Sequence, residues 1–113
     1  MSRNRWTKWR SFPDPRKSEM LLAPFGAGCY DIRQVGKSAE KVCFGKGGHV
    51  AQRMTSLLPP PLGSGTRNNK GKRDHILANL QFIEYRTLAC RTTEDATVEE
   101  NKLRKLRGYR FPK

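Results

Sequence analysis

Residues 29–46 read CYDIRQVGKSAEKVCFGK, and this run constrains the fold more than any other. In CYDIRQV, Tyr30, Ile32 and Gln34 face one way and Cys29, Asp31, Arg33 and Val35 the other, the two-residue period of a strand. GKSAE is hairpin-turn material and KVCFGK returns as a second strand. The chain then runs through GKGGH into a stretch, His49 to Leu58, that places Val50, Met54, Leu57 and Leu58 on one side of a helix. A glycine-rich turn between strand and helix offers a row of backbone N–H groups to an anion.

The rest of the chain fits around this hairpin. PPPLGSGTRNNKGK, 59–72, suits neither helix nor strand and reads as a loop. RDHILANL, 73–80, predicts a short helix. QFIEYRTLACR, 81–91, alternates again, with Phe82, Glu84, Arg86, Leu88 and Cys90 opposite Ile83, Tyr85, Thr87 and Ala89. TTED, 92–95, starts a last helix by placing a Thr oxygen within reach of the N–H three residues on, and Gly108 ends it after about Arg107. The expected class is α/β (α+β), a small three-stranded sheet flanked by helices in the order β-β-α-α-β-α. A basic arm over residues 1–23 precedes a domain over residues 24–113.

Charge narrows the partners. Twenty-three Lys and Arg face ten Asp and Glu, a net +13. Such an excess attracts polyanions, nucleic acid first. No run reaches half the ~20 apolar residues of a spanning helix, so a membrane role is not expected. MSRNRWTKWRSFPDPRK has no apolar core of a secretory signal, and the expected location is intracellular, cytoplasmic or nucleoid. Arg3, Arg5, Trp6, Lys8, Trp9 and Arg10 interleave bases with aromatics, a pattern for phosphate contact with base stacking. The same tryptophans can instead pack on the domain, and the two readings are compatible. Arg67, Lys70, Lys72 and Arg73 form a second basic group, either contacting nucleic acid or simply solvated. Cys29, Cys43 and Cys90 lie in strands without a CxxC or close His–Cys spacing, which reads as buried free thiols rather than zinc ligands.

Gly28-Cys29-Tyr30, then Cys43-Phe44-Gly45 with Lys46 after it, Arg53 eight residues beyond Gly45, the strand IEYRTLAC and an acidic last helix together resemble the GIY-YIG nuclease family. The resemblance covers about residues 24–113. Cys43 stands where the family carries a tyrosine, and the asparagine that often follows its last helix is missing. The resemblance implies a metal-dependent DNA endonuclease using one Mg2+ (or Mn2+). Tyr30 would activate water, with its ordinary pKa of ~10 lowered by Lys46 or Arg53. Arg53 would fork onto phosphate, which Lys46 and the amides of Gly47 and Gly48 would cradle. His49 is a second base or phosphate donor, or else a cap or an exposed side chain, and His75 reads as structural or surface.

The resemblance also implies a metal-binding carboxylate on the last helix, Glu99 or Glu100. The family spacing A-x-x-x-E from Ala96 points to Glu100. Helix geometry at ~100° per residue sets Glu99 between Leu103 and Leu106, on the side expected to face the sheet, and favours Glu99. DNA is preferred to RNA as substrate, and a small domain leaves room for a dimer or a targeting partner. The competing reading is a nucleic-acid-binding protein without catalysis, either an inactive nuclease module or a ribosomal-type RNA binder.

Overall fold

The computed structural model describes residues 6–17, 19, 21–36, 39–57 and 69–111. A mixed five-stranded sheet runs in the order β1-β4-β2-β3-β5 and carries three helices. The strands are β1 (Arg10–Ser11), β2 (Gly28–Gln34), β3 (Glu40–Gly47), β4 (Ile83–Ala89) and β5 (Tyr109–Phe111). The helices are α1 (Val50–Thr55), α2 (Lys70–Ala78) and α3 (Thr93–Lys105). Short 3-10 turns lie at Pro15–Lys17 and Leu80–Phe82.

β2 pairs antiparallel with both β3 and β4, setting Tyr30 opposite Gly45 on one side and Thr87 on the other. A register shift between Ile32 and Arg33 absorbs one extra residue of β3, so Val42 has no opposite number there. β2 is therefore paired along both edges, and it is covered on both faces as well. Phe12, Tyr30, Ile32, Val50, Met54, Ile76 and Tyr85 form the core under α1 and α2. Cys29, Leu88 and Ala96, together with Phe44, Leu103 and Tyr109, form the smaller packing on the α3 side. At ~25 cal/mol per Å2 of apolar surface removed from water, such packing is the main driving force of the fold.

The expected three-stranded sheet is corrected to five strands, because short strands are added at both ends of the expected order. β1 pairs antiparallel with β4 through Arg10–Tyr85 and Ser11–Glu84. Phe12 follows it into the core and meets the Tyr85 ring edge-on at 5.7 Å. The described part of the expected arm is therefore a sheet edge rather than a free tail. β5 lies parallel to β3 through Lys41–Tyr109 and Cys43–Phe111. Its entry turn uses Arg107 at φ 55° and Gly108 at φ 90°, left-handed conformations that end α3 abruptly. Lys70 and Lys72, expected in a loop, lie on α2, since the helix starts before Arg73 despite Gly71. Among the described residues no helix is long and apolar enough to cross a membrane.

α3 is capped as its sequence suggests. Thr92 Oγ1 accepts the Asp95 N–H at 3.1 Å. Glu94 and Asp95 stand at its positive end and Lys102, Arg104 and Lys105 at its negative end.

A polar network ties the α3 side together. Asp31 is buried, accepting from the Tyr109 hydroxyl at 2.7 Å and from Arg86 at 3.0 and 3.1 Å. The Trp6 ring lies 4.4 Å from the Arg86 guanidinium, and the Trp9 ring 4.0 Å from that of Arg33. Both indoles are thereby engaged in the domain itself, the packing that the sequence left open beside nucleic-acid stacking, and both stay partly exposed. Lys8 and Arg10 remain exposed. Arg3, Arg5 and Arg67 lie outside the described residues.

Candidate active site

β5 covers β3 only at Lys41 and Cys43 among the described residues, and β3 runs on to Gly47. Beyond that point a cleft of ≈ 780 Å3 opens beside β3. β2 and β3 supply Tyr30, Gly45 and Lys46 to it, and α1 supplies Arg53. α2 supplies Lys72, α3 supplies Glu100 and Arg104, and β5 supplies Arg110. Five cationic side chains and one carboxylate thus share one cleft, a set suited to a phosphate-bearing ligand.

Tyr30 lies across Gly45. A Cβ at position 45 would stand 2.6 Å from both the hydroxyl oxygen and Cζ of Tyr30. The glycine of this second motif is therefore the seat of the tyrosine, a role invisible in sequence because it depends on the cross-strand register. Tyr30 is buried, and burial is the main reason its phenol is pushed above the ordinary value. The Cys43 thiol and Glu100 act in the same direction, while Arg53 opposes them. The expectation that cations would lower this pKa is reversed, because loss of hydration outweighs the nearby guanidinium.

Arg53 is exposed on the last turn of α1 and folds back over the loop. Its Nε donates to the Lys46 carbonyl at 3.2 Å, and a Cβ at Gly47 would come within 3.1 Å of its Cγ. Gly47 therefore lets the arginine stem lie flat against β3. Gly48 is exposed at the start of the turn. His49 caps α1, its Nδ1 accepting the Gln52 N–H at 3.1 Å, and it does not line the cleft. Its ring stands 5.6 Å from that of Phe25.

Glu100, rather than Glu99, lines the cleft. Its side chain is 13% exposed and accepts from Arg104 at 3.1 Å. Glu99 pairs with Lys102 at 3.2 Å, and its charge bears on the Cys29 and Cys90 thiols. The geometric argument for Glu99 assumed that Leu106 faces the sheet with Leu103. Leu106 is 53% exposed, and the buried stripe of α3 is Ala96 and Leu103. Leu106 is the cap residue, not part of the helix, so the apolar row used to phase the helix does not exist.

The other candidates divide. Lys72 lines the cleft, while Lys70 pairs with Asp74 at 2.6 Å. Arg73 is 5% exposed, because α2 turns it toward the core side of the sheet. His75 bonds Gln34 at 2.8 Å; burial, then Arg110, holds its pKa low, with Glu40 opposing. Of the two sequence expectations, structural or surface, the Gln34 bond fits the structural one. Cys43 is buried in the core, its thiol pushed up to about 12 chiefly by burial, so the residue at the family's tyrosine position does not reach the cleft. Sequence reasoning did not single out Arg104 and Arg110. Arg104 was signalled by its place four residues after Glu100, whereas Arg110 lies on a strand with no legible pattern.

Among the described residues no three His, Cys, Asp or Glu side chains gather as a metal-binding group. Comparisons with protein-family models, curated proteins and solved structures return no match.

Proposed function

We propose that the chain is a divalent-cation-dependent nuclease of the GIY-YIG type that hydrolyses phosphodiesters in nucleic acid, DNA in preference to RNA. The observation that carries this reading is the meeting of Tyr30, Lys46, Arg53 and Glu100 in one cleft, drawn from four separate elements. A carboxylate among the cations of this cleft would weaken plain electrostatic binding of a phosphate, so its presence supports a role with a cation.

Hydrolysis forms a bond from a water oxygen to phosphorus and breaks one ester P–O bond, leaving a phosphate monoester and a free hydroxyl. Arg53 offers two parallel N–H groups to the non-bridging oxygens, and Lys46 and Lys72 add point charges. Charge gathered on those oxygens in the transition state is the target of such preorganised donors. Tyr30, held as a neutral phenol, orients the water through its hydroxyl, and the proton leaves through the open cleft to solvent. Glu100 fits a Mg2+ or Mn2+ ion as a hard oxygen donor beside phosphate-binding cations; such ions bind through one or two carboxylates plus substrate oxygens. The ion would supply charge neutralisation at the phosphate.

The rival reading, a nucleic-acid binder without catalysis, draws on one observation: Glu100 is already satisfied by Arg104. Incubating the protein with supercoiled plasmid and single-stranded DNA, with Mg2+ or with chelator, separates the two. Cleavage with Mg2+ is expected, falling about 10²-fold in Arg53→Ala while binding persists. Binding without cleavage under any divalent ion selects the rival.

A further inference from the structure

Phe25 is 81% exposed, the most exposed large apolar side chain described. Its backbone is nevertheless fixed. The Val50 N–H donates to the Gly26 carbonyl at 3.1 Å and the Ala51 N–H to the Pro24 carbonyl at 2.8 Å, so the residues on both sides of Phe25 are tied to the start of α1. The imidazole of His49, also exposed, stands beside the phenyl ring at 5.6 Å and a tilt of 55°. One helical turn further on, the Arg53 N–H bonds the His49 carbonyl at 3.1 Å, which sets Arg53 on the same face of α1. An aromatic pair held open to solvent thus stands one helical turn, ~5.4 Å along the axis, before the residue whose guanidinium lines the cleft.

We propose that Phe25 and His49 form a stacking shelf for an unpaired nucleobase next to the phosphate held by Arg53. The inference rests on the nucleic-acid reading of the cleft and narrows its substrate to single-stranded or frayed segments. A duplex keeps its bases stacked on one another and offers none to the shelf, whereas a single strand turns its base faces outward. The net charge of the whole chain, +13, favours a polyanion over an apolar protein surface as the occupant. Every base has a π-face, so the shelf binds without reading sequence.

The test is fluorescence anisotropy of a labelled single-stranded oligonucleotide and of its duplex, in chelator, with the full chain and Phe25→Ala, Phe25→Leu and Phe25→Trp. Phe25→Ala and Phe25→Leu are expected to weaken single-strand binding on the order of tenfold, leaving duplex binding and Tm unchanged, and Phe25→Trp to restore it. Equal losses on both DNA forms, no loss, or full retention by Leu would overturn the shelf. A change in sedimentation on Phe25→Ala would overturn it in favour of self-association. A chain that binds with the expected pattern but never cuts keeps the shelf and refutes the nuclease. A chain that cuts while Phe25→Ala binds like wild type does the reverse, and a wild type that binds neither DNA form refutes both.

Discussion

Gly45→Ala puts the seat of Tyr30 to the test. The added methyl would sit 2.6 Å from Cζ and the hydroxyl oxygen and 2.7 Å from Cε2 of Tyr30. Ordinary carbon contacts lie near 3.5–4.0 Å, so ring and strand must separate by about 1 Å. The ring cannot swing freely, because Tyr30 is buried in the core under α1 and α2. Overpacking of this kind costs about 1–3 kcal/mol, a fall in Tm on the order of 10 °C for a domain of this size. Displacing a reacting group by about 1 Å costs on the order of 10²-fold in rate. Circular-dichroism melting gives the first quantity and plasmid nicking in Mg2+ the second. Tyr30→Phe is then combined with Gly45→Ala. If the glycine acts on cleavage only by seating the hydroxyl, the double variant cuts no more slowly than Tyr30→Phe alone. Wild-type cutting by Gly45→Ala, or full additivity in the double variant, would sink this account.

Glu100→Gln should reduce cleavage to background with a Tm change worth less than about 1 kcal/mol, since its partner Arg104 is half exposed, while Glu99→Gln should cut normally. The opposite pair of results in the nicking assay would restore Glu99. Tyr109→Phe removes a hydrogen bond to the buried Asp31 carboxylate and should cost about 1.5–3 kcal/mol in urea unfolding with cleavage retained, so a lost activity in the folded variant would contradict its structural role. Burial pushes the Cys29 and Cys43 thiols from 9.0 up to about 12. Because the folded values lie above the unfolded ones, their stabilisation is complete below pH 9 and is lost as pH rises toward 12. Tm measured from pH 7 to pH 11 should therefore hold and then fall, less steeply in Cys43→Ala, and a flat profile would count against the burial of these thiols.

The parts of this fold that could be read from sequence are those whose pattern is local. The alternation in β2 and β4 and the Thr92 cap each span a few residues and needed no tertiary partner to be seen. β1 and β5 have only two and three residues, too short for any period to register. They are strands because a neighbouring edge pairs with them. The tryptophans of the expected arm were ambiguous for a related reason, since Arg86 and Arg33, their partners, lie far along the chain. In the cleft, Tyr30, Lys46, Arg53 and Lys72 were legible by residue type and spacing. The expectation that Glu99 would be the glutamate facing the cleft went astray on helix phase: one apolar residue beyond the end of α3 was counted as part of its buried row. Gly45 was named as a motif letter, but its physical task needed the register of β2 against β3.

The short described pairing of β5 with β3 has a consequence of another kind. Where β3 continues past Cys43 toward Gly47, its outer edge lacks a described strand neighbour, and such an edge is a template on which a foreign strand can grow. Lys46 and Arg53 stand along that stretch, and like charges on an incoming copy of the same chain would repel it before backbone bonds could form. The cations that suit the cleft to phosphate thus also keep one molecule from knitting onto the next. Neutralising them would do more than change the charge of the cleft: it would leave a variant prone to slow self-association through the stretch of β3 that has no described strand neighbour.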